Sequence, residues 1–320
     1  MEDSAKIQKS AKDLEKFNKT EKSESNSNYV WDIWNLKSPV NIPGTQWTIK
    51  GYSIAALRTN FYIKELEIML DGGLSSPYCM SHIFITHGHS DHTANLPFHI
   101  YNKKENTKIK VFAPKEIALN VRNFIETTYI LSSDVDFAGL NIKNEDLYLY
   151  KYYDLIPVSP GDYLEMTLKN KNYTIEIIKC HHSVPCVGYG IIEKRQKLKD
   201  EYKTLTGKEI GELRKKGKNL YNQVEYPYLC YLGDTSKEIF KESSIKKYQT
   251  IMIECTFIYD DDLGQADKTF HLHWKYLEEY IRDNPDKTFI LYHFSQRYST
   301  KELNEFFEKL QFRNVIPWIN

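Results

Sequence analysis

The sequence is short of the features that would assign it at a glance. Its five cysteines, at positions 79, 180, 186, 230 and 255, are odd in number and have no C-x-x-C spacing. That excludes a disulfide framework as the basis of the fold, and we read them as reduced, buried core thiols of an intracellular protein, cytoplasmic or nuclear. No run of 18 apolar residues is present and no signal peptide opens the chain, so neither a membrane span nor secretion is expected. Net charge is absent too: 43 basic residues balance 43 acidic ones. A uniformly basic nucleic-acid-binding surface is thereby excluded, and any basic surface has to be local. There is no internal repeat, which excludes a solenoid.

What is there is enough for a packed core: 320 residues, 41% of them apolar, or one large α/β domain or two small ones. Residues 1–28 are rich in Lys, Glu, Ser and Asn and cannot offset the entropy of ordering, so they read as a mobile tail, with one short helix conceivable through Ile7, Ala11, Leu14 and Phe17. From residue 29 onward the pattern is strand-rich. "WTIKGYSIAAL", "LEIMLDGG", "HIFIT", "YTIEIIKC", "PYLCYLGDT", "QTIMIECTF" and "KTFILYHFS" read as strands. "PKEIALNVRNFIETTYI", "HLHWKYLEEYIRD" and residues 301–310 have helical periodicity.

Residues 86–92, T-H-G-H-S-D-H, place three of the chain's ten histidines and an aspartate directly after the apolar run Ile83–Ile85. His87, His89, Asp91 and His92 are all groups that bind Zn²⁺. Further candidates follow predicted strands: His182 in "CHHS", Asp234 in "GDT" and His293 in "HFS". Seven such groups suffice for two zinc ions about 3.5–4 Å apart that share Asp234 and lower the pKa of water from about 15.7 toward roughly 7. For each residue a blander role stands beside this one. Asp234 could be a turn aspartate, His182 a structural histidine, His293 a strand cap, and the loop histidines a polar coincidence. His82 and His99 receive no role.

At this point the sequence resembles the metallo-β-lactamase superfamily, with H-x-H-x-D-H, a later His, a later Asp and a final His. Within it the sequence is most similar to the short form of tRNase Z, the endonuclease that trims tRNA 3′ trailers. "HHSVPCVGY" (181–189), "YLGDTS", "IECTF" (253–257) and "HFSQRY" (293–298) carry that resemblance, which spans about residues 45–317. It selects His182 over His181. It implies His87, His89 and His182 on one zinc, Asp91, His92 and His293 on the other, and Asp234 bridging, with manganese or iron as substitutes. It matches Asp71 to a residue that supports the ligand loop. It puts His271 where the family protonates the leaving 3′ oxygen, although His273 is two residues away. Glu254 is then either the residue that orients His271 or an ordinary buried ion-pair partner. Arg297 is open between a phosphate clamp and a structural salt bridge.

The resemblance also implies a fold, an αββα sandwich of two packed mixed sheets flanked by helices, in one domain over residues 29–320, with the site at the sheet edge where the ligand loops meet. It makes the lysine-rich segment 193–220, part of an arm at about 193–226, a grip on precursor tRNA by phosphate contacts, with a solvated helix as the plainer reading. It implies a homodimer. The segment 127–165 is longer than the family pattern, and "RTNFYIKELEI" departs from it. Two rival functions remain: another hydrolase of the same scaffold, acting on β-lactams or on phosphodiesters generally, and a tRNA-binding protein without catalysis.

Overall fold

The computed structural model describes residues 29–101, 108–132 and 152–320. The expected tail at 1–28, and the middle of the long segment at 133–151, lie outside the described residues. Two seven-stranded sheets form the body. The first runs in chain order: β1 Val40–Asn41, β2 Thr48–Ile54, β3 Arg58–Ile63, β4 Ile68–Leu70, β5 His82–Phe84, β6 Ile109–Pro114 and β7 Tyr153–Val158. The second holds β8 Tyr163–Leu168, β9 Lys171–Cys180, β10 Cys186–Leu198, β11 Tyr221–Tyr231, β12 Thr250–Glu254, β13 Thr288–Tyr292 and β14 Val315–Pro317, also in chain order. Each sheet begins with three antiparallel pairings and ends with three parallel ones. "RTNFYI", atypical by sequence, is the regular strand β3.

The alternation of side chains along a strand assigns residues to layers. In β13, Ile290 and Tyr292 face the other sheet, while Phe289 and Leu291 face outward. Ile251 and Ile253 of β12 also face outward, and Met252 faces in. Because both faces are covered, these strands read as continuous apolar runs. The outward set meets Leu277 and Ile281 of the helix Trp274–Arg282 and Leu303 of the helix Thr300–Leu310. On the opposite face, Ile83, Ile85 and Val111 meet Leu96 and Ile100 of the helix Leu96–Tyr101 and Val121 and Ile125 of the helix Ala118–Leu131. The result is helix, sheet, sheet, helix, the expected αββα sandwich.

Two departures from expectation concern details. Four cysteines are buried, but Cys79 is exposed and is no core thiol. It sits on the loop after Leu74, where Tyr62 donates a hydrogen bond to its carbonyl at 2.7 Å. The lysine-rich arm is also more than a helix. β10 and β11 stay paired from Tyr189–Tyr231 out to Leu198–Tyr221, past the end of their neighbours, and a nine-residue helix, Gly207–Lys215, lies between them. Thr206 and Glu209 close that helix with reciprocal capping bonds. At the root of the hairpin the Arg195 guanidinium pairs with Glu193 and lies over Tyr226 and Tyr228, 4.9 and 5.3 Å from the ring centres.

Phe61 is where the two sheets lock. It is fully buried, with ring centres of Trp318, Tyr292 and Tyr231 at 5.0, 5.3 and 6.0 Å, all near edge-to-face. Phe61→Ala is expected to cost about 3–5 kcal/mol of stability, as for other large-to-small changes at filled core sites. Urea unfolding would measure it, and a loss below about 1 kcal/mol would show that the sheets do not lock there.

Candidate metal centre

The site lies at the strand ends, not along an edge strand, because β5, β11, β12 and β13 are all interior to their sheets. The loop after β5 delivers His87, His89, Asp91 and His92. The turn after β9 brings His182, the turn after β11 brings Asp234, and His293 follows β13 directly. Close approach of these loops needs small residues. A Cβ at Gly233 would lie 2.6 Å from Cys186 Sγ and 2.7 Å from Thr86 Cβ, and one at Gly73 would lie 1.7 Å from the Asp91 carbonyl oxygen. Asp71 and His293 adopt left-handed backbone (φ 60° and 66°), which is costly for non-glycine residues and typical of sites held by their surroundings.

All seven expected groups converge. Ligand atoms of His87, His89, His182 and Asp234 lie within 4.8 Å of one another, as do those of Asp91, His92 and His293. Asp234 stands between the sets, 3.6 Å from His87 Nε2 and 3.4 Å from His293 Nε2. His181 turns away to Glu242 at 2.7 Å. His273 is spent elsewhere, accepting from Lys275 N at 3.0 Å and donating to the Tyr259 carbonyl at 2.8 Å. His271 does reach the cluster, 3.9 Å from Asp234 and 2.9 Å from Glu254. Arg297 pairs with Asp262 and lies over Phe257, which favours its structural reading.

The hydrogen-bond network fixes which ring nitrogens carry protons. Thr86 Oγ1 donates to Asp71 at 3.0 Å, so it accepts from His87 Nδ1 at 3.0 Å. His92 Nδ1 donates to Asp71 at 2.8 Å, and His182 Nδ1 to the Phe270 carbonyl at 3.0 Å. Thr256 Oγ1 donates to Glu254 at 2.5 Å and accepts from His293 Nδ1 at 3.0 Å. In the neutral rings, four Nε2 lone pairs therefore point into the cluster. Facing nitrogens lie 3.1 Å apart for His87–His89 and 3.3 Å for both His89–His182 and His92–His293. A single proton on His89 Nδ1 can meet only one of the two lone pairs facing it, and the His92–His293 contact repels unless a proton or a metal cation sits between the rings. Tetrahedral ligands on zinc, at roughly 2.0–2.1 Å, are separated by about 3.3 Å. Asp234 Oδ1 is buried and has no hydrogen-bond partner. The donor set thus fits a divalent metal.

Sequence reasoning singled out Asp71 and Glu254 but missed the donors that hold them and Asp91 in place. Asp71, fully buried, also accepts from Tyr231 at 2.5 Å and from Thr86 N at 2.8 Å. Ala56 N donates to Asp91 at 2.9 Å. Glu254 accepts from Thr235 N at 2.7 Å and Leu272 N at 3.1 Å as well as from His271 and Thr256. The flanking "GDT" and "ECT" motifs contained Thr235 and Thr256, but tyrosine and backbone donors carry no signal in a motif.

The same packing sets the charges. Burial opposes a proton on His92, yet Asp234, Asp71 and Asp91 together push its pKa up to about 10. Burial likewise opposes charge on His271, and Glu254 and Asp234 raise it to about 9. Burial and the neighbouring imidazoles hold His87 well below its ordinary value. In the metal-free protein, a proton thus takes part of the cation's place.

These two sheets with helices outside form the metallo-β-lactamase fold, and a histidine–aspartate cluster that could hold metal lies at their strand ends. The particular similarity is to tRNase Z. The chain is 27% identical to a chloroplastic tRNase Z of Arabidopsis thaliana over 298 residues, 88% of this chain and 78% of that one. It is 24% identical to a second Arabidopsis tRNase Z over 280 residues, 84% and 92% of the two chains. The crystal structure of the short form of human tRNase Z superposes with a TM-score of 0.52 at 17% identity, covering 84% of this chain and 95% of that one, and shows the same fold. No family model matches the chain.

His92 and His271 have folded pKa values above the unfolded one, so their contribution to stability is complete below about pH 6.5 and is lost as pH rises toward 9–10. The depressed histidines, such as His87, act in the opposite sense, but only near and below pH 6.5. The melting temperature of the chelated protein should therefore fall between pH 7.5 and 8.5, below the range in which unfolded tyrosines titrate. The zinc-loaded protein should show a smaller fall, because metal replaces the proton on His92 while His271, which holds no ion, keeps its own. Calorimetry in parallel buffers checks this, and a flat profile for the chelated form would refute the assigned charge state.

Proposed function

We infer that the chain is a zinc-dependent endoribonuclease that removes the 3′ trailer of precursor tRNA, cutting just after the discriminator base. The observation that carries this reading is the meeting of seven metal-competent groups with a His271–Glu254 pair at their rim, in a chain similar to tRNase Z enzymes over most of its length. His87, His89 and His182 would hold one ion, Asp91, His92 and His293 the other, with Asp234 between them. Two zinc ions bound there supply ionised water near neutral pH and neutralise charge on the phosphoryl oxygens.

The chain's own residues do the rest. Asp91 is held by Ala56 N, so its carboxylate stays aimed at the centre. His271 Nδ1 donates to Glu254, which leaves the protonated Nε2 to give its proton to the departing 3′ oxygen. A water oxygen joins phosphorus, the P–O3′ bond breaks, and the products are a tRNA with a 3′-hydroxyl and a trailer with a 5′-phosphate. Glu254 is a positioning residue, since it touches His271 and not the reacting atoms.

The arm is the RNA grip in this reading. Between residues 193 and 220 there are ten Lys and Arg against five acids. Lys208, Lys215, Lys216 and Lys218 have no ion-pair partner among the described residues. Their charges are therefore available to phosphates. In a homodimer, the arm of one subunit would serve the site of the other. In this reading the enzyme works inside the cell, where precursor tRNA is found, in cytoplasm or nucleus or, as for the chloroplastic relative, in an organelle; among the described residues no helix is long and apolar enough to cross a membrane.

On a labelled precursor tRNA, Asp91→Ala should abolish cleavage, and His271→Ala should slow it by about 10²–10⁴-fold, the usual worth of a positioned proton donor. Mapping the cut site with both variants tests this; two variants that cut at the normal rate would sink the assignment. Replacing Lys208, Lys215, Lys216 and Lys218 by Ala should raise KM and flatten its salt dependence while leaving kcat unchanged. A chromogenic β-lactam, turned over faster than the RNA, would favour the rival hydrolase.

A further inference from the structure

Resting on the endoribonuclease reading, we propose that the apolar cleft beside His89 is a nucleobase subsite, which takes the base of an unpaired nucleotide next to the scissile phosphate. The cleft has a volume of about 690 Å³, within the roughly 300–1,000 Å³ of small-ligand sites. Ile117, Val121 and Phe124 recur at i, i+4, i+7 along the start and body of the helix Ala118–Leu131, and with Leu96 they form one wall. Val184 and Pro185, on the loop that carries His182, form the other.

Three observations select a base. The first is continuity: His89 and Ser90 line both this cleft and the neighbouring cavity of about 380 Å³ that holds Asp91, Asp234, His271 and His293. A nucleotide whose phosphate lies at the metal centre thus has the cleft within reach of its own base. The second is the lining itself. Leu96 and Val121 are buried and make a floor, while the Phe124 ring is 39% exposed and offers a face for stacking. Any base has a face that can stack on an aromatic ring, so this contact would hold a trailer or discriminator nucleotide with little sequence demand. The third is the polar group at the rim, the exposed Asn120, placed to meet a base edge. The cleft is concave and opens onto the cavity that holds Asp91, Asp234, His271 and His293.

The test uses zinc-loaded full chain and precursor tRNA carrying either a normal nucleotide or an abasic one at each position flanking the cut. Phe124→Ala should lower kcat/KM about 5- to 150-fold on normal RNA, the span of single base–aromatic stacks. On RNA abasic at the recognised position, wild type and Phe124→Ala should cut equally slowly. Phe124→Trp should retain the normal rate. If Phe124→Ala cuts normal RNA as the wild type does, the subsite is wrong and the nuclease reading stands. A loss of equal size on both abasic substrates also overturns it. So does a change from dimer to monomer with that same pattern, which would mark the face as a contact between copies. A wild-type chain that binds two zinc ions and cuts no precursor would remove the endoribonuclease reading, and the subsite with it.

Discussion

A buried carboxylate with too many histidines around it is the constraint on which this molecule turns. Asp234 is 1% exposed, and nitrogens of His87, His92, His182, His271 and His293 lie 3.4–4.0 Å from its oxygens. Charged groups leave water only when something inside replaces the water. Here the replacement has to be a cation, since the inward nitrogens are acceptors and one Asp234 oxygen has no donor. A proton on His92 fills the role in part, and a pair of divalent ions would fill it wholly.

The architecture serves that constraint by dividing the work between two similar halves. The first sheet provides four of the seven groups on one loop, and the second provides three from separate strand ends. Neither half could hold two ions alone. The sheets must therefore be fixed relative to each other to within fractions of an ångström, and the bonds that cross between them do this. Tyr231 of β11 donates to Asp71 of the first sheet, Tyr189 of β10 donates to the Ile85 carbonyl at 2.6 Å, and Val187 N donates to the Thr86 carbonyl at 3.0 Å. Phe61 and the aromatic rings around it fill the space between. The abundance of tyrosine in the sequence thus has a structural use, since a tyrosine can fill a core and still end in a donor.

Glu254 shows how one side chain can link parts of the site that chemistry keeps distinct. Fully buried, it braces the Asp234 turn through Thr235 N, His293 through Thr256, and His271 directly. The histidine–aspartate cluster and His271 therefore share one anchor. His273, two residues from the favoured His271, was the other candidate, but both its nitrogens are occupied by the helix start and the Tyr259 carbonyl. Arg297 has a similar history, its guanidinium being engaged by Asp262.

What the amino-acid order determined by itself was the inventory and its sequence along the chain: the metal-competent residues at strand ends, the apolar runs of doubly covered strands, and a lysine-rich insert in a chain of zero net charge. These are legible because ligand chemistry restricts residue type and strand burial restricts hydropathy, both local effects. The resemblance already favoured His182 over His181 and His271 over His273, but only the tertiary structure supplies the reason, which lies in partners far away in sequence, such as Glu242 for His181 and Phe270 for His182. The tertiary structure also decided the outward turn of Cys79, the regular place of "RTNFYI" as β3, and the apolar cleft between the helix Ala118–Leu131 and the His182 loop. The two histidine contacts join positions 61 and 88 residues apart. No local pattern encodes them, because the energy that selects them comes from packing the two sheets together.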